Sequence, residues 1–168
     1  DNFAADFDHR LVDDLGYRIP RILCDYVVGP GPARDLRVLD LGCGTGLCGT
    51  HIKSASARRV GVGVSPAMLA KAAEHGLYDR LIEMDIAEYL ESAPAAAFDV
   101  VLAADVFVYI GDLAEVFAQV SRVLAAGGKF AFSIESADCA SDFLLQPNGR
   151  YVQSPNYIRR IAAASRLA

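Results

Sequence analysis

Asp40 is followed by Leu41-Gly42-Cys43-Gly44-Thr45-Gly46, and this pairing of one acid with spaced glycines could hold a ligand. Val38, Leu39 and Leu41 make a short apolar run, as expected of a parallel strand covered on both faces. Asp40 interrupts that run at its C-terminal end, where a charge is costly to bury unless it meets a partner. In an open α/β sheet, ligands bind just beyond the carboxyl ends of the strands. Asp40 is therefore placed to meet a cationic or hydrogen-bond-donating group. The glycines allow positive φ and close approach to bare backbone, and they lead into a helix N-terminus. Gly44, Gly46 and Gly49 also satisfy the dinucleotide spacing G-x-G-x-x-G, a weak pattern on its own.

Further acids and small residues recur at the ends of later apolar runs. Val60-Gly61-Val62-Gly63-Val64 reads as a second buried strand, and Ser65-Pro66 opens a helix whose apolar side begins at Met68 and Leu69. Leu81 to Ile86 reads as a third strand ending in Asp85-Ile86. Phe98 to Asp105 reads as a fourth, ending in Ala103-Ala104-Asp105. Tyr109 could face a substrate, but an aromatic in this apolar run is more often core. Asp112 and Glu115 resemble a capping box ahead of an amphipathic helix through Leu113, Val116, Phe117, Val120 and Leu124. Ala125 to Lys129 turns into a fifth strand, Phe130 to Ile134. Leu144 to Tyr151 is a hairpin or lid, and Ser154-Pro155 starts a last helix.

The elements that position these residues are thus five β/α units, a doubly wound, mostly parallel α/β sheet. Ahead of them, Ile22, Leu23, Tyr26 and Val27 recur at helical spacing after Pro20, in a helix ending at Gly29-Pro30-Gly31-Pro32. The expected organisation is one globular domain: an N-terminal helical arm or cap over residues 1–30, and the α/β domain over residues 31–168.

The chain has 168 residues, is 53% hydrophobic and carries a net charge of -5. That balance argues against non-specific binding to nucleic acid or anionic membranes. No apolar run is long enough to span a bilayer. The four cysteines, Cys24, Cys43, Cys48 and Cys139, form no C-x-x-C pair and have no histidine at zinc-ligand spacing. They read as reduced thiols of a cytoplasmic protein without a metal. The start at Asp1 is neither an initiator Met nor a signal peptide, so a longer chain is expected.

Asp40-Leu-Gly-Cys-Gly-Thr-Gly46, with the following units in register, resembles the first motif of class I S-adenosylmethionine-dependent methyltransferases. The resemblance implies a Rossmann-like sheet, S-adenosylmethionine as cofactor and S-adenosylhomocysteine as product. It implies that Asp40 anchors the cofactor's methionine end and that Gly42, Cys43, Gly44 and Gly46 pass under the nucleoside. It places the ribose beside Gly63 and Val64, with Met68 close by, and the adenine beside Asp85 and Ile86. Ala104 and Asp105 would line the methyl end, and Tyr17 would close over it from the arm. The sequence departs from the family at Gly63, where an acid normally accepts from both ribose hydroxyls. Losing a charged acceptor costs about 1.5–3 kcal/mol, roughly ten- to hundred-fold in affinity.

The family's sheet continues past the fifth strand, so the C-terminal strands are expected to be missing. Phe7 to Arg10, Leu15 to Pro20 and Gln146 to Tyr151 look like the methyltransferase domain of bacterial predicted methyltransferases that carry tetratricopeptide repeats. That subgroup would add a protein-interaction region elsewhere in a longer chain.

On this reading the chain transfers a methyl group to a small-molecule acceptor. No catalytic base stands out, since the three histidines sit at surface-like positions. Two rivals remain: an NAD(P)-dependent oxidoreductase, and a non-catalytic S-adenosylmethionine-binding module. Gly63 and the missing base speak for the second.

Overall fold

The computed structural model describes residues 17–29, 35–137 and 141–167. The acidic arm with His9, and Cys139, lie outside the described residues. The element order is α1 (Ile19–Val28), β1 (Leu36–Leu41), α2 (Leu47–Ile52), β2 (Ser56–Gly63), α3 (Pro66–Glu74), β3 (Arg80–Glu83), α4 (Ile86–Ser92), β4 (Phe98–Ala103), α5 (Ala114–Val123), β5 (Leu124–Phe132), β6 (Phe143–Leu145), β7 (Tyr151–Gln153) and α6 (Pro155–Ala164). Short 3-10 turns fill Lys53–Ala55 and Phe107–Tyr109.

Among the described residues the main sheet has five strands in the order β3-β2-β1-β4-β5, every pair parallel. Both faces are buried, so successive side chains feed two cores. Leu39 and Leu41 enter a core with Val62, Val101, Phe107 and Phe117. Val38 enters the other with Cys24, Cys48, Ile52 and Leu102. Phe107, Phe117, Phe130 and Phe132 pack ring to ring with centroids 4.7–6.2 Å apart. Each tilted or edge-on pair adds about 0.5–1.5 kcal/mol beyond its buried area. No described helix is long and apolar enough to cross a membrane.

Three local expectations are corrected. β5 begins at Leu124, directly after α5, instead of at Phe130. Its pairing with β4 slips between Phe98 and Val100, where Gly127 takes φ +75° and absorbs the irregularity. β3 ends at Glu83, and Asp85 begins the next helix instead of closing the strand: its Oδ1 accepts from the Ala87 N–H at 2.8 Å. In α1 the buried face is Pro20, Cys24 and Val27, while Ile22 and Tyr26 point outward. Small Cys24 lets α1 sit close to α2, and Lys129 of β5 binds the Val27 carbonyl at 3.0 Å at the helix end.

The stretch 144–151 is a hairpin, β6 with β7 antiparallel, outside the main sheet. Fully buried Gln153 ties it to the turn after β4, donating to the Phe107 and Ile110 carbonyls at 3.0 and 2.9 Å. The hairpin is thereby held over the carboxyl end of β4.

Candidate cofactor site

The strand order reverses between β1 and β4, and a cavity opens there beyond the carboxyl ends of the strands. Its accessible space is about 580 Å³, within the usual range for small-molecule sites. Each strand end contributes. Asp40, Gly42, Cys43 and Gly44 come from β1 and its turn. Gly63, Val64 and Met68 follow β2, Asp85 and Ile86 follow β3, and Ala104 and Asp105 follow β4. Tyr17 closes one side from ahead of α1. Of the sequence-selected residues only Gly46 does not line the cavity. At φ +96° it leads into α2, where a Cβ would press on the Tyr78 ring at 3.1 Å, so its role is packing behind the turn.

The turn needs its glycines for different reasons. Gly42 takes φ +65°, and a Cβ there would collide with Val106. Gly44 takes φ +54° with nothing within 4 Å of a Cβ, which leaves backbone bare toward the cavity. The Cys43 N–H donates to the Val62 carbonyl at 3.0 Å and pins the turn to β2.

Asp40 is 2% exposed and has no cation beside it among the described residues. Burial pushes its carboxyl up to about 7, against the pull of donors Tyr78 and Cys48. The Tyr78 hydroxyl donates to Oδ2 at 2.6 Å. The described cysteines are buried free thiols, and burial raises that of Cys43, with the Asp40 charge adding to it. This makes Cys43 a poor nucleophile.

Asp105 takes φ +54°, a conformation uncommon for a side-chain-bearing residue. Its N–H donates to Ser133 Oγ at 2.8 Å, and its Oδ1 accepts from the same hydroxyl at 2.9 Å. Tyr17 hydrogen-bonds to Asp105, and burial together with that bond raises the Tyr17 phenol far above its ordinary value. The Tyr17 hydroxyl therefore stays protonated and serves as a donor.

Sequence reading selected neither Tyr109 nor Arg150 as a lining residue. Tyr109, weighed toward the core, is 66% exposed and lines the cavity. Arg150 of the hairpin lies over its ring, 5.8 Å from the centroid, and pairs with Glu135 at 3.2 Å. Arg150 is the one basic side chain lining the cavity among the described residues, against three aspartates. The lining thus favours a ligand with a cationic end.

Gly63 is half-buried, without positive φ, and an added Cβ would meet only Leu69, at 3.6 Å. Glu83, its neighbour in register on β3, is not among the lining residues. The position therefore has room for an acid and holds none. His51 and His75 are exposed and away from the cavity. Among the described residues no three His, Cys, Asp or Glu side chains are grouped to hold a metal.

The methyltransferase domain family matches residues 39–132, from β1 through β5. Human methyltransferase-like protein 27 is 36% identical over 105 residues, covering 61% of this chain and 42% of that protein. A ubiquinone biosynthesis O-methyltransferase of Hahella chejuensis is 35% identical over 101 residues, covering 58% and 42%. The chain thus spans less than half the length of these relatives. The crystal structure of an S-adenosylmethionine-dependent methyltransferase from Mesorhizobium loti superposes with a TM-score of 0.68 at 20% identity, covering 92% of this chain and 82% of that one. The sheet order, the glycine turn at the switch point and the family match agree: this chain belongs to the methyltransferase domain family.

Proposed function

We propose that the chain is the cofactor-binding domain of an S-adenosylmethionine-dependent methyltransferase acting on a small molecule. The observation that carries this is Asp40, a buried acid with no cation beside it among the described residues, at the head of a bare-backbone turn. The cofactor's ammonium and sulfonium supply the positive charge that the three lining aspartates lack. Relatives named as methyltransferases and the family match support the same reading.

When bound, S-adenosylmethionine supplies a methyl group already activated on sulfur. The chain's residues then have to bind, orient and exclude water. Asp40 meets the ammonium end. Gly42 and Gly44 let the ligand lie against backbone. Val64, Met68 and Ile86 offer apolar cover for the nucleoside. Asp85 keeps one carboxylate oxygen for the adenine amino group while the other caps α4. Ala104 leaves space at the methyl end, and Tyr17 with Asp105 closes it. Tyr109 and Arg150 stand at the acceptor side.

A small acceptor fits the acidic chain and the size of the cavity, and one relative carries a ubiquinone-pathway name. The division into a cap over 1–30 and a domain over 31–168 belongs to the same proposal. So do the cytoplasmic location, which rests on the cysteines as thiols, and the tetratricopeptide-linked subgroup. Gly63 is the observation favouring the second reading, a binding module without transfer.

Calorimetric titration with S-adenosylhomocysteine, NAD and NADP tests the proposal. Binding of S-adenosylhomocysteine alone is expected. Binding of NAD or NADP without it overturns the reading.

A further inference from the structure

Tyr78 lies outside the cavity lining, between α3 and β3, yet every part of it touches the machinery of the turn. Its hydroxyl accepts from the Gly49 N–H in the first turn of α2 at 3.2 Å and donates to Asp40 Oδ2 at 2.6 Å. The result is a directed chain, Gly49 N–H to Tyr78 O–H to Asp40 carboxylate. Each bond polarises the next, and the N–H is one of those a helix start leaves without an internal partner. The ring fills the space that glycines leave. A Cβ at Gly46, Gly49 or Gly61 would come within 3.0–3.1 Å of it. Burial, reinforced by the neighbouring Asp40 charge, raises the Tyr78 phenol well above its ordinary value, so it remains a donor across the working pH range.

We infer that Tyr78 is a positioning residue of the cofactor site: its ring sets the glycine turn and its hydroxyl, donating to Oδ2, holds the Asp40 carboxylate in place. The inference rests on the cofactor reading above. Its physical basis is the cost of an isolated buried charge, which donors have to offset. The charged and titratable groups around Asp40 are Tyr78 from the α3–β3 connection, Cys43 from the turn, Cys48 from α2 and Tyr17 from ahead of α1. None is a cation. Asp40 therefore depends on hydrogen-bond donors, and Tyr78 is the one at 2.6 Å.

The experiment is a double-mutant cycle, Tyr78→Phe against Asp40→Asn, read by S-adenosylhomocysteine affinity from pH 6 to 9. Infrared titration of the carboxyl groups in the ligand-free proteins accompanies it. Tyr78→Phe keeps the ring and removes the donor. It should weaken binding about tenfold and move the rise of affinity with pH to higher pH. In the Asp40→Asn background it should cost little more, and the ligand-free Asp40 band should ionise at higher pH in Tyr78→Phe than in the parent. Equal losses in both backgrounds, or an unmoved carboxyl titration, overturn the inference and reduce Tyr78 to packing. A parent that does not bind S-adenosylhomocysteine overturns the cofactor reading instead, and the carboxyl titration tells the two failures apart. If Tyr78→Phe does not fold, 3-fluorotyrosine at position 78, a stronger donor, should shift the Asp40 titration downward. No shift again overturns the inference.

Discussion

Asp40 and Asp99 sit at opposite ends of two neighbouring parallel strands, and their surroundings are opposite too. Asp99, at the start of β4, receives a two-pronged Arg37: Nη2 to Oδ1 at 2.8 Å and Nε to Oδ2 at 3.0 Å, with the Arg37 N–H at 2.9 Å. Those bonds hold its carboxyl below the usual range. Asp40, at the far end of β1, has donors but no cation among the described residues, and burial pushes it up to about 7. The charge of Asp99 is balanced by a cation, and that of Asp40 is met by donors alone among the described residues. Side chains arranged for stability satisfy each other, whereas a binding site keeps groups that only the ligand satisfies. The backbone does not share this contrast: Gly42, Gly44 and Asp105 take positive φ at the carboxyl end, and Ala96 takes φ +53° just ahead of β4 at the other.

The largest expected effect comes from sharpening the site. Gly63→Asp adds the missing ribose partner at a position whose φ is ordinary and whose Cβ has room. Affinity for S-adenosylhomocysteine should rise by roughly ten- to hundred-fold. The gain should vanish for the 2′,3′-dideoxy analogue. Equal affinity of parent and variant for the natural ligand would show that position 63 does not face the ribose.

Breaking the site comes next. Asp40→Asn should lower cofactor affinity by about tenfold while making the ligand-free fold more stable at neutral pH. Because the folded-state value, about 7, lies above the unfolded one of about 4, the folded protein holds this proton more tightly. Asp40 therefore costs stability increasingly as pH rises from about 4 to about 7. The thermal midpoint of Asp40→Asn should exceed that of the parent at pH 8 and match it at pH 4. A variant less stable than the parent at pH 8 would mean that Asp40 is structurally satisfied.

Breaking the opposite end should do least. The Arg37 and Asp99 side chains are 42% and 31% exposed, so solvent screens the pair. Asp99→Asn should cost about 0.5–1 kcal/mol and leave cofactor affinity unchanged. The sign is the reverse of that at Asp40. The Asp99 value is depressed, so its contribution is complete above the unfolded value of about 4 and is lost as pH falls through the folded one. Denaturant titrations at pH 7 and pH 3 measure this, and a change in S-adenosylhomocysteine affinity would contradict the separation of the two ends.

How far these roles could be read from the sequence follows from chain distance. Strands buried on both faces announce themselves as apolar runs, and a glycine turn beside Asp40 is a local pattern, so the sheet and most of the cavity lining were legible. Asp85 and Asp105 followed because the register of successive units carries over. Tyr78 was not legible, because its bond to Asp40 spans 38 positions and nothing local marks it. Arg150 was hidden likewise: it reaches Tyr109 through a hairpin whose placement depends on buried Gln153. Tyr109 was weighed toward the core over the substrate side because it sits in an apolar run; its neighbours Phe107 and Val108 are buried, and the short 3-10 turn leaves Tyr109 exposed. The face of α1 was misjudged for a related reason: close packing selected Cys24 over the larger Ile22 and Tyr26.

The most direct test of the central claim, that Asp40 is kept uncompensated for a cationic cofactor, follows both aspartates in one experiment. Carbon-13 carboxyl titration by NMR, assigned through Asp40→Asn and Asp99→Asn, is run without and with saturating S-adenosylhomocysteine. The account predicts Asp40 near 7 in the free protein, moving to lower pH on binding because ligand and ionisation are reciprocally linked. Asp99 should titrate below the usual carboxylate range in both conditions. An Asp40 that titrates like an ordinary surface carboxylate, or that S-adenosylhomocysteine leaves unmoved, would contradict the account.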